Sequence, residues 1–167
     1  MLRRDPLAQP EPLIRRVYAY AAYRVGDGPD AEDVTSQTFE QALRYADSYD
    51  PRKGEPIAWL LGIARHCADR HLRNRLRGIG VVADLAGAGD LESEAIRRIE
   101  VRAAVAELDA RDRDLIALRY GADLTARQIA ELLELKTNAV EVALHRALGR
   151  LRALLEDEPG TAASSGL

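Results

Sequence analysis

Apolar residues along this chain recur at steps of three and four, with no run of strict alternation, so the pattern predicts helices and no strands. The clearest stretch runs from Leu124 to Leu155. Thr125, with Gln128 three residues on, forms a capping-box signature that starts a helix, and Ile129, Leu132 and Leu133 give that helix one apolar side. The pattern breaks over Leu135-Lys136-Thr137-Asn138. A second start follows, with either Thr137 or Asn138 as the cap and Glu141 three residues beyond Asn138. Val140, Leu144, Leu148, Leu151 and Leu155 then share one face of a long helix. Two helices joined by a tight turn fit a helix-turn-helix, whose second helix can enter a DNA major groove, and they equally fit an antiparallel pair of core helices.

Upstream, a helix is predicted from Pro12 to about Val25, with Leu13, Val17, Tyr20 and Ala21 on one face, and Gly26-Asp27-Gly28-Pro29 ends it sharply. Asp30 is the expected N-cap of a second helix running to about Ala46, with Val34, Phe39, Ala42 and Tyr45 inward and Asp33, Ser36, Gln37 and Glu40 nearer the polar side. Residues 47–56 are too rich in turn formers to be regular. A third helix is predicted from Ile57 to about Arg77, with Trp59, Leu60, Ile63, Cys67 and Leu72 apolar. From Gly78 to Asp90 the chain is small, Gly-rich and slightly acidic, as linkers are. Beyond it, Ile96, Ile99, Val101, Ala104, Val105 and Leu108 predict a further helix. Asp109 or Asp112 caps the next, which carries Leu115, Ile116 and Leu118. Residues 1–10 read as a loose leader and 157–167 as a disordered tail. The fold class is therefore all-α: two small helical domains joined by a flexible linker, the second containing the helix-turn-helix.

Composition narrows the chemistry. With 47% hydrophobic residues the chain can form compact cores, whereas only 5% aromatics argues against large base-stacking platforms. A net charge of −3 means that any nucleic-acid contact must come from local clusters. One such cluster is evident, since five arginines, two histidines and a single acid lie between Arg65 and Arg77. It reads either as a solvated helix end or, more sharply, as a phosphate-contacting surface. The single Cys67 excludes an internal disulfide and fits a reducing compartment, and no apolar run approaches bilayer length, so a cytoplasmic protein without direct membrane insertion is expected. Cys67, His66 and His71 fall short of the four ligands of a structural zinc site, and Cys67 reads as a small core residue. With no phosphate-binding loop, no G-x-S-x-G and no H-E-x-x-H, neither a catalytic residue, a metal nor a cofactor is expected, and the chain is not read as an enzyme.

Several stretches together resemble the bacterial RNA polymerase sigma factors of the compact extracytoplasmic-function type. In the first half they are Asp30-Ala31-Glu32-Asp33-Val34, Thr38-Phe39, Tyr49-Asp50-Pro51-Arg52-Lys53-Gly54, Ala58-Trp59-Leu60 and Ile63-Ala64-Arg65. In the second they are Leu108, Leu115, Leu118-Arg119-Tyr120, Ile129-Ala130 and Leu144-His145-Arg146-Ala147, so that the resemblance covers about residues 11 to 155. It implies a region 2 domain over 11–77, a linker over 78–94, a region 4 domain over 95–156 and the tail beyond. The implied partners are core RNA polymerase, through the clamp helices of β′ and the flap of β, promoter DNA, and an anti-sigma factor.

The resemblance puts Asp33, Ser36, Gln37 and Glu40 against the clamp helices. It puts the loop residues Ser48, Tyr49, Asp50, Arg52 and Lys53 around an unstacked base of the −10 element, with Arg65, His66, Arg70 and Arg73 on the helix behind. For the −35 element, the inward stripe of the last helix leaves Thr137, Asn138, Glu141, Val142, His145 and Arg146 for the major groove, while Arg111, Arg119, Arg127 and Lys136 flank it and suit phosphates. Two departures stand out: Ser36-Gln37 replaces the family's frequent Gln-Glu, and Glu141-Val142-Ala143 replaces basic or hydroxyl residues. Glu141 either accepts a hydrogen bond from cytosine N4 or only completes a capping box with Asn138. The competing function is an autonomous helix-turn-helix regulator, which would leave the first half without a purpose.

Overall fold

Pro10, Pro29 and Pro56 each stand in the first turn of a helix, where a missing N–H costs nothing and a fixed φ favours the helical geometry. In the computed structural model, which describes residues 5–78 and 93–157, they open α1 (Pro10–Val25), α2 (Pro29–Arg44) and α3 (Pro56–Leu76). The second half contributes α4 (Ser93–Glu107), α5 (Ala110–Ile116), α6 (Ala126–Leu133) and α7 (Thr137–Asp157). The predicted linker lies almost wholly outside the described residues, as do most of the tail and the first residues of the leader.

Local signals set most boundaries. Gly26 at φ +93° and Gly28 at φ +105° make the reversal between α1 and α2, in conformations that a side chain would oppose. Asp30 is not the cap expected of it: Gly28 holds the cap position two residues earlier, and α2 begins at Pro29. The Asp30 carboxylate instead faces His71 at 3.3 Å and Arg75 at 3.5 Å on α3, joining the start of α2 to the end of α3. Asp109 caps α5 by accepting from the Asp112 N–H at 2.8 Å. α5 then widens into a π turn over Ala117–Gly121, closed by Ala122 N–H to Ala117 C=O at 2.9 Å. The Thr125–Gln128 capping box is present in both directions, and Glu134 turns the chain between α6 and α7 in the left-handed region at φ +56°.

α1, α2 and α3 pack around Val17, Tyr20, Ala21, Val34, Leu60, Leu61 and Ala64. That core does not stop at the end of the first half. Leu115, Leu118, Ala122, Leu124, Ile129 and Val140 belong to the same apolar cluster. A smaller cluster of Val105, Leu108, Ile116, Ala147 and Leu151 lies within the second half. The π turn seats against α1 so closely that a Cβ at Gly121 would stand 2.9 Å from the Ala19 carbonyl oxygen and 2.9 Å from the Tyr23 ring.

Three expected core positions differ. Tyr45, Ile96 and Ile99 are about half exposed, because α2 ends before Tyr45 and because α4 turns the face of Val101, Ala104, Val105 and Leu108 inward, which leaves the two isoleucines on its other side. The stripe on α7 is buried at Val140, Leu144 and Leu151, with Ala147 joining it, while Leu155 at its end is partly exposed.

Candidate nucleic-acid and partner interfaces

The segment between α2 and α3 is built by its own polar groups. Asp50 accepts hydrogen bonds from the Arg52 backbone N–H at 3.0 Å and from Arg52 Nε and Nη2 at 3.1 Å each. The Arg52 partner holds the Asp50 carboxyl below its ordinary value. Lys53 N–H donates to Asp50 C=O at 3.0 Å, the Tyr49 hydroxyl donates to Gly54 C=O at 3.0 Å, and Ser48 Oγ donates to Tyr45 C=O at 2.7 Å. The Tyr49 ring leans on Trp59 of α3, with centroids 5.5 Å apart. The result is an open cleft of about 450 Å³, lined by Tyr49, Arg52, Lys53, Glu55 and Pro56 from the first half and by Glu131 of α6.

The basic half of α3 divides by direction. His66, Arg70, Arg73 and Arg77 face solvent, and Arg70 also lies 3.9 Å from the buried Cys67 sulfur. Arg65 turns inward: its Nε donates to Asp114 Oδ2 at 2.9 Å. The outward arginines are thus placed for phosphates, whereas Arg65 already has an anion. On α2, Asp33, Ser36 and Glu40 are exposed and Gln37 is half-buried, and their spacing makes one continuous face. Glu40 also stands 3.8 Å from Arg44 on that surface. The opposite face buries Thr35 and Thr38, whose hydroxyls donate to Ala31 and Val34 carbonyls at 2.7 Å.

In the helix-turn-helix, Thr137, Asn138, Glu141, Val142, His145 and Arg146 are all exposed along α7. α7 begins at Thr137, so Asn138 lies within the first turn rather than at the cap. Of the flanking cations, Arg111 and Lys136 are exposed, and Arg127 pairs loosely with Glu131 at 3.4 Å. Arg119 is engaged more firmly, donating to Leu124 C=O at 3.0 Å and lying over the Tyr120 ring.

A charged network that sequence reasoning missed lies between the halves. Arg24 of α1 has only 4% of its side chain exposed, pairs with Asp114 of α5 at 3.0 Å and Asp69 of α3 at 2.5 Å, and donates to the Tyr20 hydroxyl. Tyr20, itself fully buried, donates to Asp114 at 2.7 Å. Burial works against the charge of Arg24, but Tyr20, Asp114 and Asp69 more than offset it and hold the guanidinium above its ordinary pKa. Burial, then Asp114, pushes the Tyr20 hydroxyl well up. Three further links join or brace the halves: Arg16 donates to the Ala122 and Asp123 carbonyls at 2.7 and 3.1 Å, Arg102 pairs with Asp27, and Arg150 pairs with Asp112 at 2.5 Å. The one available signal was Tyr20 and Arg24 four residues apart on a helix face that otherwise reads apolar.

The chain matches the family model for Sigma-70 region 2 over residues 11–78 and that for Sigma-70, region 4 over residues 98–151. Among curated proteins it is 29% identical over 150 residues to the ECF RNA polymerase sigma factor BldN of Streptomyces coelicolor, with 85% of this chain and 57% of that relative covered. It is 29% identical over 156 residues to the ECF RNA polymerase sigma factor SigK of Mycobacterium ulcerans, covering 84% of this chain and 80% of that one. The chain thus spans little more than half of BldN and four fifths of SigK. Among solved structures, it shares its fold with the sigma factor RpoE in complex with the anti-sigma factor NepR from Bartonella quintana, at TM-score 0.66 and 21% identity, covering 87% of this chain and 93% of that one. It shares it also with CnrH in complex with the cytosolic domain of CnrY, at TM-score 0.61 and 23% identity, covering 88% and 82%.

Proposed function

Because this chain belongs to the RNA polymerase sigma factors of the extracytoplasmic-function type, we propose that it binds core RNA polymerase and directs promoter-specific initiation by recognising −10 and −35 elements. The observation that carries this reading is the ordered match to regions 2 and 4 on one chain, over 11–78 and 98–151. An autonomous helix-turn-helix regulator would need only the second of these and would leave α1 to α3 without a task. The domains are then region 2 over 11–77 and region 4 over 95–156, joined by 78–94. Bond-making chemistry belongs to the polymerase, and the chain works where polymerase does, in the cytoplasm. Among the described residues, no helix is long and apolar enough to cross a membrane.

The division of labour follows from the surfaces. The exposed face of Asp33, Ser36, Gln37 and Glu40 on α2 meets the clamp helices of β′. The cleft beside Tyr49, Arg52 and Lys53 holds an unstacked base of the −10 element, while Arg70 and Arg73 take the flanking phosphates. The exposed side of α7, from Thr137 to Arg146, enters the major groove of the −35 element, with Arg127 and Lys136 on the backbone and the flap of β on the same domain. An anti-sigma factor is the expected protein antagonist.

Core-binding and transcription assays test the reading. The chain should co-elute with core polymerase and yield a promoter-dependent transcript. Asp33→Arg places an unfavourable charge on an exposed helix face, so folding should hold while core affinity falls by about 2 kcal/mol, roughly thirtyfold in Kd. Unchanged core affinity in the folded variant, or tight sequence-specific DNA binding without polymerase, would sink the assignment.

A further inference from the structure

Four arginines from four helices line one small cavity. Arg24 of α1, Arg75 of α3, Arg102 of α4 and Arg113 of α5 meet there, beside Tyr23 and Val105, around about 200 Å³. Among the described residues, no carboxylate is in that lining. The acids that pair with these cations stand outside it: Asp69 and Asp114 on Arg24, Asp27 on Arg102, and Asp30 on Arg75 at 3.5 Å. Asp27 and Asp69 are nearly half exposed, and Asp114 and Asp30 are shared with Arg65 and His71, so each offsets only part of the charge it faces.

Arg113 has no ion-pair partner among the described residues. Its Nε donates to the Val105 carbonyl at 3.2 Å, and its Nη2 donates to the Leu108 carbonyl at 3.0 Å and to that of Ala106. Burial, then the like charge of Arg24, holds this guanidinium below its ordinary pKa, as befits a cation with too little negative charge around it. A second observation comes from Arg24 itself. Its Nε–H is buried without a hydrogen-bond partner, the sole such side-chain atom among the described residues. Interiors satisfy nearly all such donors, so this one marks a place where the protein supplies too few acceptors.

We propose that this cavity binds a diphosphate-type anion, either free pyrophosphate or the diphosphate end of a nucleotide. A guanidinium fork matches two phosphate oxygens at once, and a multiply charged anion suits several forks. The cavity is about seven times a water's share of liquid volume, about 30 Å³, which suits one or two phosphate groups. It is too small for a whole drug-sized ligand, which takes about 300–1,000 Å³. A second, mostly apolar cleft of about 440 Å³ adjoins it, sharing Ala22, Tyr23 and Arg102 and adding Tyr18, Arg97 and Arg98. Tyrosine rings there give a base a surface to stack on. None of the four cavity arginines belongs to the surfaces assigned to promoter or polymerase, so the site stands apart from the sigma-factor reading.

The full-length chain is titrated calorimetrically with pyrophosphate and, separately, with ADP. Arg75 and Arg102 are 49% and 41% exposed, so Arg75→Gln and Arg102→Gln should fold, which circular dichroism checks. Each should weaken pyrophosphate binding about tenfold, the loss of one charge-assisted hydrogen bond. Arg70→Gln and Arg73→Gln, on the outward side of α3, should change it by less than about twofold, because salt screens charges outside the site. In nitrogen–proton spectra of the wild type, the Nε–H signals of Arg24 and Arg113 should move on adding pyrophosphate while those of Arg70 and Arg73 stay. Equal affinity for the two ligands identifies the free anion as the occupant, and tighter binding of ADP identifies a nucleotide. No binding at millimolar pyrophosphate overturns the site. So does a loss confined to Arg70→Gln and Arg73→Gln, which would put the anion on the promoter-facing arginines instead.

Discussion

Asp114→Ala is the perturbation from which the structure allows the most to be worked out. Asp114 is 12% exposed and accepts three bonds from the other half: the Tyr20 hydroxyl at 2.7 Å and Arg24 Nη1 at 3.0 Å on one oxygen, and Arg65 Nε at 2.9 Å on the other. Arg65 is 31% exposed and can turn to water, so little of the penalty falls there. Arg24 is 4% exposed and cannot. It keeps Asp69 at 2.5 Å, but that carboxylate is 47% exposed and solvent screens the pair. Leaving a buried charge with one partner removed costs about 3–5 kcal/mol, and the surviving Asp69 contact argues for about 3. Asp114→Asn keeps an acceptor for Tyr20 and should cost about 2 kcal/mol, while Tyr20→Phe, which deletes one neutral donor, should cost about 1. Because the groups share a network, the Asp114→Ala/Tyr20→Phe double variant should fall short of the sum by about 1 kcal/mol. Urea unfolding followed by circular dichroism reads these values from midpoint and slope. A folded Asp114→Ala protein that loses less than about 1 kcal/mol at unchanged slope would refute the claim that the network carries the junction.

Two further outcomes follow from exposed and titrating groups. Glu141 is exposed and Asn138 lies inside the helix, so Glu141→Ala should change stability by less than about 0.5 kcal/mol while relaxing preference at one cytosine by about 1–3 kcal/mol in selection on a randomised −35 element; an unchanged base profile would leave His145 and Arg146 as the readers. Asp27 is held below its ordinary pKa chiefly by the Tyr18 hydroxyl at 2.5 Å and also by Arg102, against the opposing effect of partial burial. A depressed carboxylate stabilises the fold above its unfolded pKa, and that contribution is lost as pH falls through the folded one. Wild type should therefore exceed Asp27→Asn in urea midpoint at neutral pH and converge with it in acid below the usual carboxylate range; parallel curves throughout would exclude the contribution.

Much of the helical framework is a local matter, and so it is legible along the chain. Thr125 with Gln128 caps α6 through groups only three residues apart, whereas Pro10, Pro29 and Pro56, which read as leader, turn and loop, in fact open α1, α2 and α3, one or two residues ahead of the expected starts. Val140, Leu144 and Leu151 face inward because helical periodicity alone puts them on one side. The same periodicity says which residues share a face, and it is silent on what that face meets. Ile96 and Ile99 lie on the side of α4 away from Val101, Ala104, Val105 and Leu108, so the choice of which apolar side is covered came from packing, and both isoleucines stay half exposed. Arg65 belongs to a basic run that reads as a phosphate surface, and only packing turned it toward Asp114, 49 residues away in the chain. Arg24 found Asp114 at a separation of 90 residues, where no spacing rule reaches. Nothing local marks Gly121 as a close contact, and only the approach of α1 shows why a side chain there has no room. Helix start, stop and facing are set by interactions within a few residues, and so the sequence determined them. The joining of the halves into one core, and the choice of which charges it buries, depend on side chains brought together from distant positions, and so only the tertiary structure decided them.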